Sequence, residues 1–189
     1  MDEGNGPAVF VDRDGTMCFA RLDQDGNRDP EFIPTVLDGL KRLNHTGLPV
    51  FIITTQSDNG RSQFTEDEQG EIHDRILEIL SQNGVKIRDI LYCPHIPTPE
   101  NGGDNGHKPT SQMLLEGSEK HRIDLKRSVI IGDRIADIEV ALEIGAKSIL
   151  VPEPGMSAQD PEVDSASVKP DFVARNFMEA VFWLIRKVH

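Results

Sequence analysis

Short apolar runs alternate with helix-period patterns along this chain, the arrangement of parallel strands joined by crossover helices. Residues 8–11 (AVFV) read as a first buried strand. Thr35 then opens a helix as N-cap, with Asp38 three residues on, and that pattern ends at Gly47. Residues 50–54 (VFIIT) are β-branched and free of Gly and Pro, giving a second buried strand. Residues 65–68 (TEDE) carry a capping-box signature for a helix whose Ile72, Ile76, Leu77, Ile79 and Leu80 keep the spacing of one face. A short third strand is read at 90–92, followed by a loop rich in Pro, Gly and Asn at 94–109. A helix follows Pro109, where proline suits the first turn. Residues 128–131 (SVII) give a fourth strand, 135–144 a helix closed by Gly145, and 148–151 (SILV) the next strand. The stretch 152–170 is a polar, Pro-rich surface excursion, 171–173 an edge strand, and the last helix carries Val181, Leu184, Ile185 and Val188. The expectation is a doubly wound α/β fold with helices on both faces of the sheet, built as one domain over residues 1–189.

The polar residues that follow the strands carry the chemistry. The first strand runs into Asp12-Arg13-Asp14-Gly15-Thr16, the second ends at Thr54-Thr55-Gln56-Ser57, and the fourth runs into Gly132-Asp133-Arg134-Ile135-Ala136-Asp137. Lys108 stands ahead of the helix that precedes the fourth strand. Ligands of open parallel sheets bind at the carboxyl ends of the strands, so these signals converge on one crevice. Asp12 and Asp133 offer hard oxygen ligands to magnesium, which needs few protein ligands when phosphate supplies others. A carboxylate at Asp12 can attack phosphorus. Asp14 can protonate the leaving alkoxide and then activate water. Thr54 can donate to a phosphoryl oxygen, and Lys108 can neutralise the charge gathering there. Taken singly, each has a plain explanation: Asp-x-Asp-Gly is turn chemistry, Asp133 a helix N-cap, Asp137 a first-turn acid, Lys108 a solvated loop lysine. Together, in order and at strand ends, they make a phosphoryl-transfer site.

Composition narrows the partners. At 189 residues with 37% hydrophobic and 28% charged residues, the chain is globular rather than disordered. No apolar run approaches the roughly 18 residues of a membrane helix. The acidic, Gly-rich start lacks the parts of a signal peptide, so a cytoplasmic protein without a membrane partner is expected. A net charge of −12 opposes nucleic acid as a bulk partner. It leaves room for a small phosphorylated substrate, because a metal and a few local cations outweigh the average. Two cysteines, Cys18 and Cys93, are too few for a disulfide framework. The apolar last helix can cover its own sheet or meet a second copy, so a monomer or small homo-oligomer is expected.

At these residues the chain resembles the haloacid dehalogenase superfamily of phosphohydrolases: FVDRDGT, IITTQS, Lys108 and IIGDRIAD stand where its four motifs do. The resemblance implies a Rossmann-like sheet, Asp12 as nucleophile and Asp14 as acid/base. It implies magnesium held by Asp12, the main-chain carbonyl of Asp14, and Asp133, with Asp137 supporting the site. Thr54 and Lys108 would grip the phosphoryl group. DRDGT, TQS and YCPHIP followed by HKP are similar to the small branch of histidinol-phosphate and heptose bisphosphate phosphatases. Only residues 17–35 separate Thr16 from the helix near Val36, so no large cap domain is expected. Substrate contacts then fall to loops, with Thr55, Arg61 and His107 as candidates; Thr55 stands where that branch usually has Asn.

That branch often carries a structural zinc loop, a Cys-x-His pair followed by Cys-x-Cys. In the loop insert 93–107, Cys93 and His95 supply the first pair, but Asp104-Asn105-Gly106 replaces the second. Two ligands cannot close a tetrahedral site, and only Asp104 or His107 remain to complete an unusual one, so zinc is not expected. Three rival readings exist, and the full motif set opposes one of them, a catalytically silent member acting as a binding module. A receiver-type signalling module places its phosphoacceptor at the third strand, which here runs into Cys93-Pro94-His95. A polynucleotide 3′-phosphatase shares the motif layout, but the acidic balance opposes it.

Overall fold

The computed structural model describes residues 5–19, 30–55, 66–93, 111–155 and 168–188. Its strands are β1 (Val9–Asp12), β2 (Val50–Thr55), β3 (Asp89–Cys93), β4 (Val129–Gly132), β5 (Lys147–Leu150) and β6 (Phe172–Val173). They form one parallel sheet in the order β3-β2-β1-β4-β5-β6. β1 lies in the middle, with Val9 opposite Val50 on one side and Val129 on the other. The helices are α1 (Val36–His45), α2 (Glu66–Gln82), α3 (Ser111–His121), α4 (Ile135–Ile144) and α5 (Phe177–Val188).

The middles of β1, β2 and β4 are apolar at consecutive positions because both faces are covered. Val9, Val11, Ile52 and Ile131 face a core built with Val36, Leu40 and Leu43 of α1, Ile72, Ile76 and Leu80 of α2, and Phe177, Val181 and Leu184 of α5. Phe10, Phe51, Ile53 and Ile130 point the other way, onto Met113 and Leu114 of α3 and Val140, Ala141 and Ile144 of α4. Helices that carry the chain outward from β1 to β2 and β3 lie on one face. Those that carry it through β4 to β5 lie on the other, as right-handed crossovers require. The winding therefore reverses between β1 and β4. α5 covers its own sheet, and among the described residues no helix is long and apolar enough to cross a membrane.

Two local expectations are corrected. Thr35 precedes α1 but does not cap it through its side chain; it sits at φ 74° with no side-chain capping bond. The first helical bond instead runs from the Gly39 N–H to the Thr35 carbonyl. The fourth strand begins at Val129 rather than Ser128, whose buried hydroxyl donates to the Asp124 carbonyl at 2.7 Å and accepts from the Ala8 N–H at 3.0 Å. Thr65 and Pro109 lie outside the described residues, as do 156–167 of the surface excursion.

Phe177 is 1% exposed and joins α5 to α1 and the sheet. Phe177→Ala should cost about 3–5 kcal/mol. Urea unfolding is the measurement: the midpoint should fall with the slope unchanged, and a loss within error of zero would remove this contact from the core.

Candidate active site

Where the winding of a parallel sheet reverses, the loops after adjacent strands diverge and leave a crevice at their carboxyl ends. Asp12 closes β1 at that point, Asp133 follows β4, and Asp137 lies in the first turn of α4. Each can present an oxygen such that the three lie within 4.8 Å of one another.

Two glycines make the approach possible. Gly15 turns the chain after β1 at φ 84°, and a Cβ there would lie 2.2 Å from Asp133 Oδ2. A Cβ on Gly132 would meet Asp137 Oδ2 at the same 2.2 Å. The turn itself is pinned by main-chain bonds, from Gly15 N–H to the Cys18 carbonyl and from Met17 and Cys18 N–H to the Arg13 carbonyl. Asp137 Oδ2 also accepts the Arg134 N–H at 3.1 Å, which ties the carboxylate to the helix start. Asp133, one residue earlier, is not the N-cap; Arg134 is. Asp133 receives the Thr16 hydroxyl at 3.5 Å and has the Arg134 guanidinium 4.0 Å away.

These contacts do not balance the charge. Burial, and then the neighbouring Asp137, push Asp133 up to about 7. Burial pushes Asp137 up to about 6 against the stabilising Arg134 N–H. Asp12 is raised well above the ordinary carboxylate range by burial and by Asp137, Asp133 and Asp14. A cluster of hard oxygens short of positive charge suits a divalent cation such as magnesium. The carboxylates of Asp12, Asp133 and Asp137 are the groups that could hold it.

Asp14 gives no carboxylate to this cluster. Its side chain is turned to Arg13, whose Nη2 lies 2.6 Å from Oδ2 and whose Nε lies 3.0 and 2.9 Å from Oδ1 and Oδ2. The Thr54 hydroxyl reaches the same Oδ2 at 3.5 Å. The far side of Arg13 meets Gln69 and His73 of α2, each at 3.3 Å. Burial and the adjacent Arg13 push His73 down to about 4, so its imidazole is neutral near pH 7.

The structure thus brings together Asp12, Asp14, Thr54, Asp133 and Asp137. Lys108, Arg61, His107, His95 and Asp104 lie outside the described residues, and of Thr55 and Cys93 only the backbone is described. Arg13, Gln69 and His73 were not anticipated. Their signal was present: Gln69 and His73 are polar residues four apart, beside Ile72 and Ile76 on the face of α2 that turns inward.

Known proteins resemble this chain over most of its length. Residues 106–180 match the Hydrolase_like family model, described as HAD-hydrolase-like. The chain is 32% identical over 192 residues to a D-glycero-D-manno-heptose-1,7-bisphosphate 7-phosphatase of Thermosynechococcus vestitus, covering 94% of this chain and 95% of that one. It is 32% identical over 180 residues to a D-glycero-beta-D-manno-heptose-1,7-bisphosphate 7-phosphatase of Mesorhizobium japonicum, covering 89% and 75%. Among solved structures, the D,D-heptose 1,7-bisphosphate phosphatase of B. bronchiseptica, complexed with magnesium and phosphate, shares the fold. Its TM-score is 0.75 at 23% identity, with 96% of this chain and 99% of that chain covered.

The raised carboxyls make a pH prediction. A group whose folded pKa is raised holds its proton more tightly when folded, so its contribution is present at low pH and lost as pH climbs from about 4. For Asp133 that loss is complete only above about 7. His73 acts in the opposite sense: its contribution is full above about 6.5 and lost as pH falls toward about 4. Replacing one residue isolates its own share. In metal-free protein, Asp133→Asn should raise the thermal midpoint little near pH 4 and progressively more up to about pH 8. A gain that did not grow with pH would show that Asp133 carries no contested charge.

Proposed function

This chain belongs to the haloacid dehalogenase superfamily, in its capless phosphatase branch, and we propose that it removes one phosphate from a sugar bisphosphate of the heptose bisphosphate class through a phosphoryl-aspartate on Asp12. The observation that carries the reading is the division of labour among the carboxylates. Asp12 sits with Asp133 and Asp137 at the end of β1, while Asp14, two residues on, is held apart in a separate set of hydrogen bonds. The nucleophile and the proton carrier are therefore distinct groups in one loop.

A carboxylate oxygen of Asp12 forms a bond to phosphorus as the bond from phosphorus to the sugar oxygen breaks. Asp14 gives its proton to the departing alkoxide. As a carboxylate, Asp14 then takes a proton from water, and the water oxygen attacks phosphorus of the mixed anhydride. The Asp12 carboxylate leaves with its electron pair, and inorganic phosphate is released. Thr54 and Lys108 donate to the phosphoryl oxygens in both steps. Asp12, Asp133 and the Asp14 carbonyl, with Asp137 beside them, would hold magnesium, which when bound would screen the repulsion between the carboxylate nucleophile and the anionic phosphoryl group. The phosphate that is not transferred needs cations of its own; Arg61 and His107, with Thr55, are proposed for that end of the substrate. The 32% identity to heptose bisphosphate phosphatases over most of both chains supports a sugar bisphosphate over histidinol phosphate.

Phosphate release from a panel tests the substrate: heptose 1,7-bisphosphate, hexose bisphosphates, histidinol phosphate and a 3′-phosphorylated oligonucleotide, each with magnesium and with chelator. A sugar bisphosphate should give the highest kcat/KM, by about tenfold or more, and chelation should abolish turnover. Preference for histidinol phosphate or the oligonucleotide would overturn the substrate, and turnover surviving complete chelation would overturn the mechanism. Asp12→Asn should lower turnover by about 10⁴-fold or more. It should also raise the metal-free thermal midpoint, because it removes a charge that its neighbours repel. Purified protein should contain no stoichiometric zinc; elemental analysis giving one zinc per chain, lost with Cys93 or His95, would reverse that.

A further inference from the structure

Arg13 lies between the two aspartates of the β1 loop, yet it is 3% exposed and cannot reach a substrate in the crevice. Its guanidinium is spent on two sets of partners. Nε and Nη2 form a fork on the Asp14 carboxylate, at 2.6 to 3.0 Å. Nη1 points back to Gln69 Oε1 and His73 Nε2, both at 3.3 Å. A guanidinium only donates, so His73 Nε2 accepts and the imidazole proton sits on Nδ1. Gln69 and His73 are 5% and 8% exposed, and the His73 ring meets the edge of Tyr92 on β3 with centroids 5.2 Å apart. A continuous brace therefore runs from β3 and α2, through one buried cation, to the Asp14 carboxylate.

We propose that Arg13, anchored by Gln69 and His73, is a positioning residue that fixes the Asp14 carboxyl for proton transfer to the leaving alkoxide and from the attacking water. This rests on the reading of Asp14 as acid/base. A lone aspartate on a turn can rotate about two side-chain bonds. The planar fork removes that freedom in a way a lysine ammonium cannot match. The contacts are also unequal. Oδ2 receives Nη2, Nε and the Thr54 hydroxyl, whereas Oδ1 receives Nε alone, which leaves Oδ1 as the oxygen with capacity to carry the proton.

A positioning role has a signature that a merely structural one lacks. An alkoxide leaves only with a proton, whereas p-nitrophenolate leaves without one. kcat/KM reports events up to leaving-group departure. The test compares kcat/KM for heptose 1,7-bisphosphate (or whichever alkyl phosphate the panel above identifies) with that for p-nitrophenyl phosphate. The variants are Arg13→Lys, Gln69→Leu, His73→Phe and Asp14→Asn, each checked for a wild-type circular dichroism spectrum. Arg13→Lys keeps the charge and breaks the fork, while Gln69→Leu and His73→Phe leave both charged partners in place. Each of the three should lose about tenfold or more on the alkyl ester and less than about threefold on p-nitrophenyl phosphate. Asp14→Asn should show the same split, larger. Equal losses on both esters, or none, in the brace variants beside a clear split in Asp14→Asn would overturn the brace alone. No split in Asp14→Asn would overturn the acid/base reading and the brace with it.

Discussion

Three carboxylates compete for one small volume, and the rest of the site is arranged around that competition. At a separation of 4.8 Å and an effective dielectric of about 20, two full negative charges repel by about 3.5 kcal/mol. Three such pairs would consume most of the 5–15 kcal/mol that holds an ordinary domain together. The protein therefore cannot keep all three ionised without a counter-charge; burial, joined at Asp133 by the neighbouring Asp137, keeps protons on Asp133 and Asp137 to unusually high pH. The same deficit makes the cluster receptive to a divalent cation. Gly15 and Gly132 maintain it, since a methyl group at either position would push a carboxylate away.

The sheet supplies the rigidity that this repulsion demands. β1 is hydrogen-bonded on both sides, and its side chains are packed from both faces. Asp12 consequently cannot relax away from Asp133 by bending its strand. Asp137 is immobilised differently, by accepting the N–H of Arg134, the N-cap of its own helix. The surroundings of the Asp14 side chain follow the opposite electrostatic rule. Its hydrogen-bond partners are donors, the buried Arg13 guanidinium and the Thr54 hydroxyl. Two neighbouring carboxylates in one loop thus experience different environments, one short of positive charge and one supplied with it. Under the proposed mechanism, that contrast would separate nucleophile from proton carrier without different residue types.

Much of this was legible in the sequence, for identifiable reasons. Parallel strands buried on both faces read as plain apolar runs, so β1, β2, β4 and β5 were found to within about a residue. The helix 135–144 closed by Gly145 matched α4 at both ends because a left-handed glycine is a strong terminator. Asp12, Asp14, Thr54 and Asp133 stood out because they follow those strands. What escaped was anything decided by the third dimension. Arg13 between two aspartates looks solvent-facing in one dimension; only the packing of α2 reveals that it is buried. Gln69 and His73 lie on a helix whose apolar spacing was recognised, and the two polar members of its inward face were passed over. Thr35 fits a capping pattern by residue type, but its left-handed backbone takes the hydroxyl out of reach.

The strand order has a consequence for how the molecule comes into being. β1 is made before both of its neighbours, and one of them, β4, is separated from it by β2, β3 and three helices. Until β4 is made, the nascent chain carries an unzipped edge along an apolar strand, and the loop after β1 has no Asp133 or Asp137 to oppose it. Long-range parallel pairing of this kind is slow and leaves such edges open to improper partners in the meantime. Shielding by the ribosome surface or by a holding chaperone would matter most during that interval. Asp12 is translated well before Asp133 and Asp137, so its surroundings are assembled only when that later stretch folds back beside it.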